Sequence, residues 1–581
     1  MTKDDISDIQ ALAKATGGPS ITHGVPLSEE PGMGPLTLPG YLRDVTTRYA
    51  AREALVMHHP DGSVERWSYA DLWARAMAVA RALTAVGVGK DSRVGVLMTN
   101  RPEWLAAVFG VGLAGGVAAT LSTFSTPAEL EILVQASCCS VLLFERTVLK
   151  KDFAAILTEL EPQIATARPG ELASLKFPHL RRLAVVEPRG AGAAASIGAI
   201  ESWADFQAHG EAVAVELVEA IAAATQPADA GVLFFSSGST GKPKGILSAH
   251  RGVTVQCWRW KRIYDLADDV RCWSANGFFW SGNFCMALGS TLTSGGSLVL
   301  QPTFEPVEAL RLIAAEKVTL TVAWPHQWAQ FKATPGWREA DLSSVKYVDV
   351  KLQQLGDQPT LTTIWREPRW AYGNTETFTI TTIYPANTPE EIAGDSHGVA
   401  LPGNTIKIVD PLTGATMPLG ERGEIAVKGP TLMLGYIGIP LDETLDGEGF
   451  LRSGDGGWLD AAGRLFWEGR LNDIIKTGGA NVSPVEVDGV LATYPGVKVA
   501  RTVGVPHETL GEMVISCVVP HAGQSLEETA IREFLKAQLA SYKVPRRVLF
   551  VGEDELSLTG SAKVKSSAVR ELAAKRLADE A

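Results

Sequence analysis

"FFSSGSTGKPKGILSAH", Phe234 to His250, sets five hydroxyl side chains, three glycines and two lysines directly behind the apolar run "GVLFF". Gly238 and Gly241 leave room for successive backbone N–H groups to converge on an anion. Ser236, Ser237, Ser239 and Thr240 add hydroxyl donors, and Lys242 and Lys244 add positive charge. A buried strand that ends in such a loop is the mark of a phosphate site in an α/β domain. The competing reading is a plain polar turn, because Gly, Ser and Thr are common in loops.

Two other nucleotide patterns fail. The Walker spacing needs a glycine five residues before Gly241, where Ser236 stands, and a hydroxyl residue after Lys242, where Pro243 stands. A G-x-G-x-x-G does occur at Gly110, Gly112 and Gly115, but it lies within or after a helical pattern rather than between a strand and a helix. It reads as close packing.

The 581 residues carry 46% hydrophobic and 20% charged side chains, the balance of an ordinary globular protein too long for a single core. A net charge of −12 argues against non-specific binding to nucleic acid or an anionic membrane. Six scattered cysteines without a C-x-x-C pair fit a reducing, cytoplasmic setting and no zinc site. The polar start "MTKDDISDIQ" lacks a signal-peptide core. "WLAAVFGVGLAGGVAATL", Trp104 to Leu121, is uncharged and nearly long enough to span a bilayer, yet Gly115 and Gly116 would break a helix midway. It reads as helix, tight turn and buried strand, with no membrane span.

Along the chain, residues 1–40 read as an extended arm rich in Gly, Pro and Ser. Helical spacing over Leu72–Val88 and a strand over Ser92–Met98 begin a long α/β alternation. Near residue 400, "NTIKIVD", "GEIAVKG" and "GRLFWEG" are short β segments between turns and predict a small antiparallel sheet or barrel. From about residue 471 the order strand, strand, helix, strand ("VARTVGV", "VISCVVP", "EETAIREFLKAQLA", "RRVLFV") predicts a separate domain of about a hundred residues.

The loop resembles the phosphate loop of the AMP-forming adenylate ligases, the superfamily of acyl- and aryl-CoA synthetases, peptide-synthetase adenylation domains and luciferases. Further motifs of that family follow in order: "WAYGNTET" (Trp370–Thr377), "GEIAVKGPTLMLGY" (Gly423–Tyr436), "LRSGDGGWLDAAGRLFWEGR" (Leu451–Arg470), "NDIIKTGGANVSPVEVD" (Asn472–Asp488) and "LSLTGSAKVK" (Leu556–Lys565). The resemblance covers about residues 40–575. It implies an arm over 1–40, an adenylating domain of packed sheets with a small barrel-like part over 41–471, and a small mobile α+β domain over 472–581.

The activity implied is attack of a carboxylate on the α-phosphate of ATP, giving an acyl adenylate and pyrophosphate, followed by displacement of AMP by a thiol. By resemblance Lys563 is the catalytic lysine, with Lys565 its neighbouring rival; Ser557 and Ala562 replace the family's Pro and Gly. Glu376 and Thr240 would hold Mg²⁺, a hard cation suited to oxygen donors. The loop, Ser236 to Lys242 with Lys244, would take the β- and γ-phosphates. Gly356, Asp357, Tyr372, Gly373, Asn374 and Thr375 would line the adenine and α-phosphate positions, and Asp455 with Arg470 the ribose. Asn472 stands at the hinge position, where the family usually has Asp or Lys. Gly478 and Gly479 would line the tunnel for coenzyme A.

The stretches "CWSANGFFWSGNF" and "VAWPHQW" fall where the family shapes its acyl pocket. They are aromatic with little charge, so Phe278, Phe279, Trp280, Phe284, Trp324 and Trp328 are pocket candidates, about half of them expected to be plain core. With no Lys or Arg prominent there, the expected substrate is a medium- or long-chain fatty acid or an alicyclic, aromatic or steroid-derived acid. Eighteen residues follow Lys563, too few for a carrier domain, so free coenzyme A is the expected acceptor. Transfer to a separate carrier protein and a luciferase-type monooxygenase are the alternatives. A homodimer stays open.

Overall fold

The computed structural model describes residues 18–189, 197–237, 243–349, 358–477, 480–507, 510–539, 543–556 and 566–579. Two compact units emerge, His23–Thr405 with Lys428–Leu451, and Met1–Thr22 with Ile406–Val427 and Arg452–Ala581.

Besides a three-stranded sheet of Ala371–Tyr372, Thr382–Ile383 and Val399–Ala400 and a two-stranded one, the larger unit is built on two main sheets. One has eight strands in the order Ile200–Ser202, Arg182–Val186, Val141–Glu145, Arg93–Leu97, Val117–Thr120, Ala230–Ser237, Pro243–Ala249 and Gly435–Tyr436. Its first six strands run parallel and its last two turn antiparallel. The second sheet joins Leu320–Thr321, Arg271–Ser274, Ser297–Leu300, Glu53–His58 and Val64–Ser68. Parallel strands buried on both faces read as unbroken apolar runs, and "VAAT", "VLLFE" and "RLAVV" show this.

Trp104–Leu121 resolves as expected into the helix Pro102–Leu113, a turn, and the strand Val117–Thr120. The turn is a left-handed glycine cap: Gly115 sits at φ 77°, its N–H donates to the Gly112 carbonyl at 3.0 Å, and the Gly116 N–H donates to that of Val111 at 2.9 Å. A Cβ on Gly110 would come within 2.8 Å of Val79 on the helix Tyr69–Ala85, so two helices touch backbone to side chain there. The "GVGLAG" run is therefore a packing device. Among the described residues no helix is long and apolar enough to cross a membrane.

The smaller unit holds a five-stranded sheet ordered Ile21–His23, Thr405–Val409, Gly423–Lys428, Leu451–Leu459 and Leu465–Arg470. The end of the arm thus supplies an edge strand, fixed where the Ser20 N–H donates to the Met417 carbonyl at 2.8 Å. Its C-terminal part pairs the strands Val497–His507 and Gly511–Pro520, adds Arg547–Phe550 in parallel, and covers them with the helices Pro484–Leu491 and Glu528–Lys536. The order strand, strand, helix, strand is the one read from the sequence, and the helix Pro484–Leu491 ahead of it is an addition.

Candidate functional site

The strand Ala230–Ser237 delivers its carboxyl end to the glycine-rich loop, and Pro243–Ala249 returns antiparallel with Ser236 opposite Lys244. Gly238, Ser239, Thr240, Gly241 and Lys242 lie outside the described residues, as do Gly356, Asp357, Gly478, Gly479, Lys563 and Lys565. Ser236 and Lys244 are half-buried at the two rims of the loop.

Lys244 is fixed by what its strand pairs with. Pro243–Ala249 takes Gly435–Tyr436 as an edge partner, through Leu434 N–H to the Leu247 carbonyl (2.7 Å) and Ile437 N–H to that of Gly245 (2.8 Å). The Lys244 ammonium then lies 5.0 Å from the centre of the Tyr436 ring, a cation over a π-face. The Tyr436 hydroxyl donates to Glu376 Oε1 at 2.8 Å, and the Met433 N–H donates to the Glu376 carbonyl at 2.7 Å. Loop strand, edge strand and Glu376 are tied together by these contacts. The sequence singled out Glu376 and Lys244 but missed Tyr436, which stands at the end of a family motif; its strand partner is not readable from the chain.

Glu376 sits on a tight turn, Thr375–Thr377, capped reciprocally by Asn374. The Asn374 Oδ1 accepts from the Thr377 N–H at 3.0 Å, and Thr377 Oγ1 accepts from the Asn374 N–H at 3.1 Å. The next two residues, Phe378 and Thr379, adopt φ 48° and 89°. For a β-branched threonine this is strain of order 1–3 kcal/mol. A glycine is required at 373, where a Cβ would lie 2.1 Å from the Thr379 carbonyl oxygen. Tyr372 is buried, and its carbonyl accepts from the Thr381 N–H at 2.8 Å and hydroxyl at 3.1 Å. The strained turn thus presents Thr375 and Glu376 from a rigid base.

In the smaller unit Asp455 and Arg470 face each other across the pair Leu451–Leu459 and Leu465–Arg470. Arg470 Nε lies 3.0 Å from the buried carboxylate, and its Nη1 donates to the Ser453 carbonyl at 2.9 Å. The Ser453 hydroxyl in turn accepts from the Asp455 N–H at 3.1 Å. Asn472 falls in the short turn Leu471–Asp473 that follows.

The aromatic candidates separate. Phe278 and Phe284 are buried around Trp104, Phe234 and Phe378 with ring centres 5.3 to 6.1 Å apart. Trp328 packs with Phe331 and Trp337 in a second core. Phe279 stacks edge-on to the exposed Phe124 and tilts against the half-buried Trp280, while Trp324 is exposed. Phe279 is itself buried, so Trp280 and Trp324 are those placed with open surface to offer. Asn100 holds this segment from below: its Oδ1 accepts from the Phe278 N–H at 2.9 Å, and its Nδ2 donates to the Asn276 carbonyl at 2.7 Å. Lys151 holds the Phe124 loop by donating to the carbonyls of Thr123, Phe124 and Ser125 at 2.8–3.0 Å. Lost hydration lowers its pKa from the ordinary lysine value. Neither residue carries a sequence signal, since both act by contacts distant along the chain.

Residues 42–437 match the model of the AMP-binding enzyme family, and residues 486–563 match that of the AMP-binding enzyme C-terminal domain. The chain belongs to the AMP-binding enzyme family. A methyl-dioxo-octahydroindenyl-propanoyl:CoA ligase of Mycobacterium tuberculosis is 30% identical, over 91% of this chain and 100% of that protein. A feruloyl-CoA synthase of Amycolatopsis sp is 31% identical over 87% and 93%. Among solved structures, the anthranilate CoA ligase AuaEII in complex with anthranoyl-AMP is 24% identical, covers 94% of this chain and 99% of its own, and superposes with a TM-score of 0.73. The AMP-binding enzyme fold is thus shared over nearly the whole chain. The expected α/β class with several packed sheets and a small C-terminal part is what these residues form.

Proposed function

We propose that this AMP-forming acyl-CoA ligase activates an apolar carboxylic acid with ATP and Mg²⁺ and passes the acyl group to free coenzyme A. The observation that supports the reading is that Tyr436 holds Glu376 by its hydroxyl and Lys244 by its ring, Lys244 lying on the strand that follows the glycine-rich stretch. Joining a carboxylate to a polyphosphate requires like charges to be neutralised, and Lys244 with Glu376 holding a metal ion would supply that.

The donor set suits magnesium. Among the described residues no three His, Cys, Asp or Glu side chains cluster as a metal cage. Mg²⁺ prefers one or two carboxylates completed by substrate phosphates and water, and Glu376 with Thr240 offers that. When bound, the ion would neutralise phosphate charge. The chain's own residues do the rest. The loop N–H and hydroxyl groups, with Lys242 and Lys244, would hold the β- and γ-phosphates. Thr375 would contact the α-phosphate, and Asp455, positioned by Arg470, would accept from the ribose hydroxyls. Tyr372, Gly373, Asn374, Gly356 and Asp357 would form the adenine side. Lys563 would bridge the acid's carboxylate and the α-phosphate as a point charge. A domain over 472–581 would reorient at Asn472, bringing Gly478 and Gly479 to the pantetheine arm and withdrawing Lys563. Residues 41–471 would be the adenylating domain.

The open aromatic surface of Trp280 and Trp324 supports an apolar acid, as do relatives named for medium-chain acyl and indoleacetate substrates. Six free cysteines favour a cytoplasmic setting. Pyrophosphate release is to be measured with ATP and Mg²⁺ across fatty, aryl and alicyclic acids, with and without coenzyme A. Turnover stimulated by coenzyme A on one apolar class is the expected result. Turnover confined to dicarboxylic or amino acids would contradict the apolar pocket, and release that coenzyme A leaves unchanged would point to a carrier protein instead.

A further inference from the structure

Tyr436 touches two groups of opposite charge at once. Its hydroxyl donates to one oxygen of the Glu376 carboxylate at 2.8 Å, and its ring carries the Lys244 ammonium 5.0 Å from its centre. Lys244 and Glu376 form no direct ion pair among the described residues. This matters because a lysine and a glutamate at one loop would otherwise neutralise each other. A direct pair would leave less negative charge for a cation and less positive charge for a phosphate. The phenol satisfies both without cancelling either: it is a neutral donor to the carboxylate and a π-face to the ammonium.

We propose that Tyr436 is a positioning residue that keeps Glu376 and Lys244 apart and oriented, with Glu376 Oε2 left for the magnesium ion and the ammonium left for the polyphosphate. This rests on Glu376 being the metal-binding carboxylate. Three features make the placement firm. Tyr436 is a strand residue, paired with Ile246 across the sheet edge. The Glu376 main chain is bound to Met433, three residues before Tyr436 in the chain. Glu376 itself stands on the turn that Asn374 caps. Both ends of the hydroxyl–carboxylate bond are thus fixed by backbone.

The test uses the full chain and Mn²⁺ as a paramagnetic probe with α,β-methylene-ATP, whose bridging carbon prevents adenylate formation. Mn²⁺ affinity is read by electron paramagnetic resonance in wild type, Tyr436→Phe, Glu376→Gln and the double variant, each well below its own unfolding midpoint. A hydrogen bond to a charged group is lost in Tyr436→Phe, so Mn²⁺ affinity falls about tenfold. The ring stays, so pyrophosphate affinity without metal stays within about twofold of wild type. Because the hydroxyl acts through the carboxylate, the double variant binds Mn²⁺ no more weakly than Glu376→Gln alone. Unchanged Mn²⁺ affinity in Tyr436→Phe, alongside a loss in Glu376→Gln, would overturn the role of Tyr436 and leave the metal reading standing. Additive losses in the double variant would show that Tyr436 acts elsewhere, also overturning it. Unchanged affinity in Glu376→Gln would overturn the metal reading itself and the inference with it.

Discussion

At the scale of single residues, Glu376 and Lys244 are both held by contacts to one side chain, Tyr436. Glu376, Asp455, Lys244 and Tyr436 all sit within motifs of fixed order, but the contacts through which Tyr436, Asn100 and Lys151 act are encoded by no local pattern. Gly373 shows how narrow the local tolerance is. Its Cβ position lies 2.1 Å from a backbone oxygen of the segment that also holds Thr379 at φ 89°. Gly373→Ala is expected to displace this turn and with it Glu376, lowering kcat/KM for pyrophosphate release by about tenfold or more while the rest of the fold stands. Wild-type kinetics in that variant would show that the turn relaxes freely. His250 gives a pH signature. It is fully buried, accepts the Leu38 N–H at 3.3 Å, and has its pKa pushed down to about 4 by burial. The unfolded chain binds that proton near pH 6.5, so between pH 6.5 and 4 the unfolded state holds more protons and stability is lost as pH falls. The full effect is about 3 kcal/mol. Urea titrations across that window should show His250→Gln with a shallower acid limb than wild type; identical slopes would remove His250 as a contributor.

At the scale of elements, alternating apolar runs made the parallel sheet readable, and the C-terminal strand–strand–helix–strand order followed from periodicity alone. The decoy glycines of "GVGLAG" were separable from a nucleotide loop because their place inside a helix is a local property. What local pattern cannot say is which way an aromatic side chain faces once its element has packed. Trp324 and Trp328 stand four residues apart, yet the first is 46% exposed and the second 6%. The helix Pro325–Ala333 begins between them, so Trp324 caps its start from outside while Trp328 turns into the core with Phe331. Trp328→Ala should lower stability by about 3–5 kcal/mol. Trp324→Ala should leave the unfolding midpoint unchanged and raise KM for the apolar acid severalfold. Equal midpoints for the two variants would contradict this division.

At the scale of the whole molecule, the two proposed half-reactions would make opposite demands on one lysine. In the proposed function Lys563 would neutralise charge during adenylate formation and be absent from thioester formation. Lys563→Ala is expected to lose pyrophosphate release by at least about a hundredfold and still convert supplied acyl adenylate and coenzyme A to thioester. Equal loss of both steps would refute the division of labour. The chemistry of the first step has a direct test in the path of an atom. With the acid's carboxylate labelled with ¹⁸O, attack on the α-phosphate leaves one labelled oxygen on AMP once the thiol has displaced it. Mass spectrometry of the AMP formed with coenzyme A present should find one ¹⁸O per turnover. Label appearing in inorganic phosphate, or AMP without label, would contradict an acyl adenylate and with it the account of this chain as an AMP-forming ligase.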